Sequence, residues 1–227
     1  MNKTVRFSIL SAALLLFVCR DVIAQINVGV RAGVNLSNFR PNLIGYQPKA
    51  GLNVALLFNM PFNRYLSLQV EPGFSQRGSK IDLDGQTIVD GAWQRNQVFG
   101  KIMLNYLEVP LLLQYKPKIG KFEGIVSLGP EFRFRVGPQT IKATVRNYKD
   151  GVLIDDTTTE TDLSKSNVYR AFDYGLTGGA GVAYPMHFGR IFTEARYHLG
   201  LRKMGPNVEL HNRGISVHVG VLIPLKK

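Results

Sequence analysis

The sequence predicts an all-β fold: eight antiparallel strands in up-and-down order, closed into a barrel. Three observations predict it. Apolar residues recur at every second position in separate segments between Ile26 and Leu225, the period of a strand and not of a helix. The alternating segments number eight, an even count that lets the last strand run antiparallel to the first. The connections between them alternate short and long, as they do when all the tight turns lie at one end of a barrel.

The order starts with a leader. Lys3 and Arg6 precede an apolar run from Phe7 to Cys19, and Val22-Ile23-Ala24 offers a cleavage site. Met1 to Ala24 therefore reads as a cleaved secretory signal, its apolar run too short to span a bilayer as a helix. Leu16-Phe17-Val18 lacks the small residues that a lipid anchor on Cys19 would need. Residues 25–227 are then expected to be a single barrel domain.

The first strand, Ile26 to Leu36, alternates Ile26, Val28, Val30, Ala32, Val34 and Leu36 with Asn27, Gly29, Arg31, Gly33 and Asn35. The second, Lys49 to Met60, carries Leu52, Val54, Leu56 and Phe58 on one face. The third, Tyr65 to Arg77, sets Leu66, Leu68, Val70 and Phe74 against Ser67, Gln69, Glu71, Ser75 and Arg77. The fourth, Ile102 to Tyr115, sets Leu107, Val109, Leu111 and Leu113 against Tyr106, Glu108 and Gln114. The fifth, Glu123 to Val136, sets Val126, Leu128, Phe132 and Phe134 against Ser127, Glu131, Arg133 and Arg135. The sixth, Tyr169 to Tyr184, sets Phe172, Tyr174, Leu176, Ala180 and Val182 against Asp173, Thr177 and glycines. The seventh, Ile191 to Arg202, sets Ala195, Tyr197 and Leu199 against Glu194, Arg196 and His198. The eighth, Ile215 to Leu225, sets Val217, Val219, Val221 and Ile223 against Ser216, His218 and Gly220. The connections Met60 to Tyr65, Tyr115 to Glu123 and Tyr184 to Ile191 are short; Arg77 to Ile102 and Val136 to Tyr169 are long loops. Within the latter, Thr140 to Tyr148 and Val152 to Thr158 flank the turn Lys149-Asp150-Gly151 and predict a projecting hairpin.

Periodicity alone leaves open which face lines the lumen. A soluble lipocalin-like ligand-binding barrel turns its apolar face inward; a transmembrane barrel turns it outward. Strands of roughly 10 to 14 residues exceed the usual soluble length. Aromatic residues gather near strand ends, as interfacial girdles do: Phe58, Phe62, Tyr65, Tyr115, Phe122, Tyr184 and Phe192 by the short turns, Phe74, Phe134, Phe172 and Tyr174 by the long loops. The glycine-rich polar face, with Gly29, Gly33, Gly73, Gly129, Gly175, Gly179, Gly181 and Gly220, suits a crowded interior. The expected architecture is an eight-stranded transmembrane barrel in the outer membrane, with short periplasmic turns and long extracellular loops.

Four stretches carry a family resemblance. They are Leu66-Ser67-Leu68-Gln69-Val70-Glu71-Pro72 with Ser75-Gln76-Arg77-Gly78; Leu104-Asn105-Tyr106-Leu107-Glu108-Val109-Pro110-Leu111; Asp173-Tyr174-Gly175 with Gly178-Gly179-Ala180-Gly181; and Ala195-Arg196-Tyr197-His198-Leu199-Gly200-Leu201. In this order they cover most of the chain after the leader, and the chain resembles the porin-like outer-membrane β-barrel family of Bacteroidota, the PorT-type group. The resemblance implies an integral outer-membrane barrel of eight strands and little about activity, although named members are linked to protein secretion. The ending Leu225-Lys226-Lys227 departs from the terminal aromatic common in outer-membrane proteins.

Inward residues near the strand midpoints are Arg31, Glu71, Glu108, Glu131, Arg133 and Arg196. Three acids and three arginines far from bulk water need partners. The expectation is a salt-bridge network that plugs the lumen, with a wet lumen and narrow pore as the alternative. His198 and His218 face inward on the last two strands, and a symmetric hairpin would set them directly opposite, near Glu194. They read as polar filling, since two histidines without a third ligand make a weak metal site.

Composition narrows the function classes. One cysteine excludes a disulfide framework or a multi-cysteine metal site. Gly178-Gly179-Ala180-Gly181 lies inside an alternating strand with no helix after it, so it is no nucleotide loop. No serine or histidine sits in a nucleophile motif. The chain is expected to be no enzyme and to hold no cofactor. Its net charge of +12 gathers partly at the short-turn rim, in Arg64, Lys116, Lys118, Lys121, Arg190, Lys226 and Lys227, where anionic lipid headgroups would meet it. The expected partners are outer-membrane lipid and an envelope or secretion protein that docks on the loops; barrel closure leaves no groove for nucleic acid.

Overall fold

A strand that lies in hydrocarbon must pair along both edges, because no water is there to satisfy its backbone. The computed structural model describes residues 26–164, 169–205 and 209–225, and these form a ring in which the barrel strands do pair so. The signal and cleavage site expected at Met1 to Ala24, and Lys226 and Lys227, lie outside the described residues. Twelve strands are present: β1 (Asn27–Arg40), β2 (Tyr46–Pro61), β3 (Leu66–Val70), β4 (Gly73–Val89), β5 (Ala92–Tyr115), β6 (Lys118–Ile119), β7 (Phe122–Arg135), β8 (Thr140–Lys149), β9 (Val152–Asp162), β10 (Phe172–Met186), β11 (Gly189–Gly200) and β12 (His211–Pro224).

Eight segments make the wall: β1, β2, β3 with β4, β5, β7, β10, β11 and β12. Each pairs antiparallel with its neighbours in sequence, and β1 pairs with β12 from Asn27↔Pro224 to Arg40↔His211 to close the ring. Glu71 and Pro72 separate β3 from β4. Proline has no N–H to give the ladder, but the Pro72 carbonyl accepts Leu56 N–H at 3.0 Å and Glu71 N–H donates to the Pro110 carbonyl at 3.2 Å. The wall is continuous across the break.

The apolar face points outward. Leu52 and Leu128 are 62% and 63% exposed, while Glu131 on the opposite face is 0% exposed. A soluble ligand-binding barrel has the inverse arrangement. Phe58, Phe62, Tyr65, Tyr115, Phe122 and Tyr184 are exposed at the short-turn end, and Phe74, Phe134 and Tyr174 at the other. Phe192 departs from its expected place in the girdle. It is 3% exposed and points into the lumen, because it shares the parity of Glu194 and Arg196 on β11.

The stretch from Arg77 to Ile102, expected as a loop, is a hairpin. β4 runs on to Val89, turns at Asp90-Gly91 with φ of 52° and 78°, and returns as β5. Positive φ at both positions is the tight-hairpin conformation that Asp-Gly favours. The β8–β9 hairpin forms where expected, turning at Asp150-Gly151. β8 pairs with β5 from Gln94 to Met103, so β4, β5, β8 and β9 build a four-stranded sheet beyond the long-loop rim.

Two apolar layers lie inside the barrel. Leu57, Ile125, Ala183, Phe192 and Leu222 pack together toward the short turns. Phe39, Ile102, Leu104, Tyr106, Leu163, Tyr169 and Met204 pack together toward the long loops. Emptying either layer should leave a cavity that rigid walls cannot collapse. Phe192→Ala is expected to lower stability by about 3–5 kcal/mol, measured by urea unfolding of the barrel refolded in lipid vesicles. A Phe192 in the outer girdle would give a much smaller loss, since lipid would fill the gap.

Candidate functional site

Between the two apolar layers the lumen is filled by charge. Its lower half is built on Glu71. Arg31 Nε donates to Glu71 Oε2 at 2.7 Å, and Arg196 clamps the same carboxylate through Nη1 and Nη2 at 2.6 and 2.7 Å. Gln69 Nε2 donates to Oε1 at 2.6 Å. Arg196 Nη2 also reaches Glu194 Oε2 at 2.6 Å, and Ser127 donates to Glu194. Arg31 donates to Asn53. Two guanidiniums face two carboxylates, and the group is neutral.

The upper half is built on Glu131. Its Oε1 accepts Arg77 Nη2 at 2.8 Å and Arg133 Nε at 3.0 Å; its Oε2 lies 2.6 Å from His198 Nδ1. Arg77 reaches on to Glu108, and Arg133 Nη1 to Asp173 Oδ2 at 2.7 Å. Asn212 Nδ2 donates to Asp173 at 2.8 Å, and His198 Nε2 lies 2.6 Å from Ser216 Oγ. Two guanidiniums here face three carboxylates, with His198 as the remaining basic group. All these ionic side chains are buried.

Glycine makes the room. A Cβ on Gly175 would lie 2.7 Å from Arg133 Nη2, and one on Gly179 would lie 2.6 Å from Arg196 Cγ. The β11 carbonyl oxygens of Leu199 and Ala195 would lie nearer still, at 2.3 and 2.4 Å, so β10 carries glycine where it lies close against β11, and the arginines of β7 and β11 cross the space left free. The Gly178-Gly179-Ala180-Gly181 run thus has a packing reason.

Each of the six charges expected in the lumen, Arg31, Glu71, Glu108, Glu131, Arg133 and Arg196, is buried in an ion pair. They divide into two groups, with no ion pair between the groups among the described residues. Three members escape a choice based on strand midpoints: Arg77, Asp173 and Glu194. Inward parity alone would have found all three. The expected facing of the histidines is corrected. His198 stands opposite Gly214, and His218 opposite Glu194, because the β11–β12 register offsets them. His198 belongs to the Glu131 group, while neither His218 ring nitrogen has a hydrogen-bond partner among the described residues. Among the described residues no cluster of three potential metal ligands occurs.

A contrasting ion pair lies outside. Arg95 hydrogen-bonds Asp84 on the projecting sheet, and both side chains are nearly half exposed. The hydrogen bonds from Arg95, then Gln97, hold the Asp84 carboxyl down at about 2.

The family described as Outer membrane protein beta-barrel domain matches residues 20–204. No curated protein matches the chain. Among solved structures the chain is similar to Ail, the attachment invasion locus protein of Yersinia pestis, at 13% identity and a TM-score of 0.37, over 88% of this chain and 98% of that one. It is similar also to Neisserial surface protein A, at 10% identity and a TM-score of 0.39, over 87% and 96%.

Removing one partner from a buried ionic group strands the others without solvent. Glu131→Gln, which removes the carboxylate that Arg77, Arg133 and His198 share, is expected to lower stability by about 3–5 kcal/mol, more than Glu108→Gln, which affects Arg77 alone. Asp84→Asn is expected to leave the urea midpoint unchanged, because water replaces the lost contact. Equal losses from all three would contradict the Glu131 hub.

Proposed function

The chain belongs to the outer membrane protein beta-barrel domain family, and from that premise we propose that it is a non-enzymatic, porin-like barrel of the PorT-type group of Bacteroidota, exported by a cleaved signal and plugged by its own side chains. The observation that carries this reading is the order of layers in the lumen. Apolar side chains fill both ends, and between them four arginines and five carboxylates sit in ion pairs. An eight-stranded ring leaves an interior just wide enough for side chains. An ion entering from either side would meet dehydrated apolar groups first, and then charges already matched to one another.

Some polar atoms inside have no protein partner, among them Arg77 Nη1, Glu108 Oε2, Arg133 Nη2 and Asp173 Oδ1. Such atoms take single ordered waters where there is space. Enclosed water of this kind is compatible with a plug, since a conducting path needs a continuous column.

A second reading has its own support: an accessory role in a secretion or envelope assembly. The four-stranded sheet projects past the rim, pairs on one edge of β9 alone, and exposes Ile88, Trp93, Leu153 and Ile154. An open edge and apolar tips are what a protein partner docks on. Replacing residues 141–161 by a short linker should then abolish a crosslink from Trp93 to the partner and spare the barrel.

The plug is tested by single-channel recording of the chain from Gln25 in a planar bilayer, after a heat-dependent gel shift has verified folding. Silence is expected. Steady openings of the folded barrel would overturn the plug and leave a narrow pore.

A further inference from the structure

The ionic groups of the lumen do not use every buried cation. Lys116 follows β5 at the short-turn mouth and is 9% exposed. Its Nζ donates to Asn59 Oδ1 at 3.0 Å, and among the described residues it forms no ion pair. It forms part of a cavity of about 490 Å³ that opens at the mouth. Arg64 and Arg190 line the same cavity, and Glu123 is its one carboxylate. Glu123 is already engaged, with Oε2 3.0 Å from Arg190 Nε. Arg64 lies on the exposed β2–β3 turn, over the Tyr65 ring at 6.0 Å.

Three cationic residues therefore line one concave surface, with a single acid among the described residues that line it. A buried ammonium without a counter-charge is unfavourable. Burial, and next the charge of Arg190, bring the Lys116 ammonium down to about 8, against the weaker opposing charges of Glu123 and Glu194. An anion in the cavity would relieve both effects. The donor set fits one kind of anion well: an ammonium gives a point charge and guanidiniums give planar forks, the combination that takes a tetrahedral oxyanion with several acceptors.

We propose that this cup is a phosphate-binding site in which Lys116, Arg64 and Arg190 hold the phosphate group. Two sources present the same chemistry: free inorganic phosphate, and the headgroup of an anionic phospholipid in the facing leaflet. Phe62 and Leu66 form the apolar side of the cavity, and the exposed rings of Tyr65 and Tyr115 stand nearby at the interface. The site is independent of whether the lumen conducts, because it lies below the lower apolar layer.

The test uses the folded full barrel in a neutral detergent, titrated separately with inorganic phosphate and with dihexanoyl phosphatidylglycerol, followed by the ³¹P linewidth of each probe. Saturable broadening by both probes, lost in Lys116→Met, supports a site for the free anion. Broadening by the lipid alone, again lost in Lys116→Met, supports a headgroup site. No saturable broadening with either, or broadening that Lys116→Met leaves intact, overturns the proposal. Should Lys116→Met fail the heat-dependent gel shift, Arg64→Gln on the exposed turn replaces it and is expected to weaken binding roughly 10-fold, the loss of one charge-assisted contact. Affinity should also fall as pH rises past about 8, where the empty-site Lys116 gives up its proton; affinity unchanged up to pH 10 would remove Lys116 from the site.

Discussion

Backbone pairing without water is the constraint on which the rest of this structure depends. Each unsatisfied N–H or C=O in hydrocarbon costs several kcal/mol, so the first and last wall strands must find each other. They do so over fourteen residue pairs, from Asn27↔Pro224 to Arg40↔His211. Once the ring is closed, every side chain has one of two destinations. Even positions of β1 meet lipid and odd positions meet the lumen; on β12 the parity is reversed, as the odd pairing sum in the register requires. The polar interior follows from closure, because hydrocarbon claims the apolar side chains.

A closed ring this small then dictates the interior chemistry. Charges enclosed among side chains cannot be hydrated, so they survive only in matched sets. The lower set achieves neutrality with Arg31, Arg196, Glu71 and Glu194. The upper set has Arg77 and Arg133 against Glu108, Glu131 and Asp173, and it sets His198 on the most heavily shared carboxylate. A proton on that imidazole would make the two sets equal in charge. Glycine at 175 and 179 lets the arginines cross. Residues that read as a weak motif along the chain are thus the spatial complement of guanidiniums on neighbouring strands.

Alternation made the wall legible in the sequence, because lipid on one side and packed polar groups on the other enforce it at every step. Where that enforcement ends, so does legibility. Residues 82–99 of the projecting hairpin have water on their outer face and carry no strict pattern, and two Asp-Gly pairs, Asp84-Gly85 and Asp90-Gly91, offer competing turns of which only the second is used. Phe192 shows a related limit. Proximity to a strand end fits either a girdle or a core, and only its parity with Glu194 decides. Register is the information that a single strand lacks: the facing of His198 with Gly214, and of His218 with Glu194, depends on how β11 slides against β12. The missed members of the ionic sets have a different origin, the restriction to strand midpoints, since their inward parity is plain in the sequence. Arg77 reads as the last residue of a strand, but the strand continues to Val89, which brings Arg77 into the middle.

The same layering bears on where this barrel can meet other molecules. Widening the lumen would separate Glu71 from two arginines and Glu131 from two more, and each separation leaves charges in a space that water reaches only past an apolar layer. These costs fall together, since the partners are shared and no pair can open alone. The ends are different. Lys116 at one mouth forms no ion pair among the described residues, and the tip of the projecting sheet at the other leaves Trp93 59% exposed. An ammonium outside any ion pair and an uncovered indole each gain from an added partner, whereas the ion-paired interior has room for single waters at most. The physical asymmetry between a centre whose carboxylates and guanidiniums are paired and ends that carry an unpaired ammonium and an exposed indole therefore directs recognition by macromolecules to the rims.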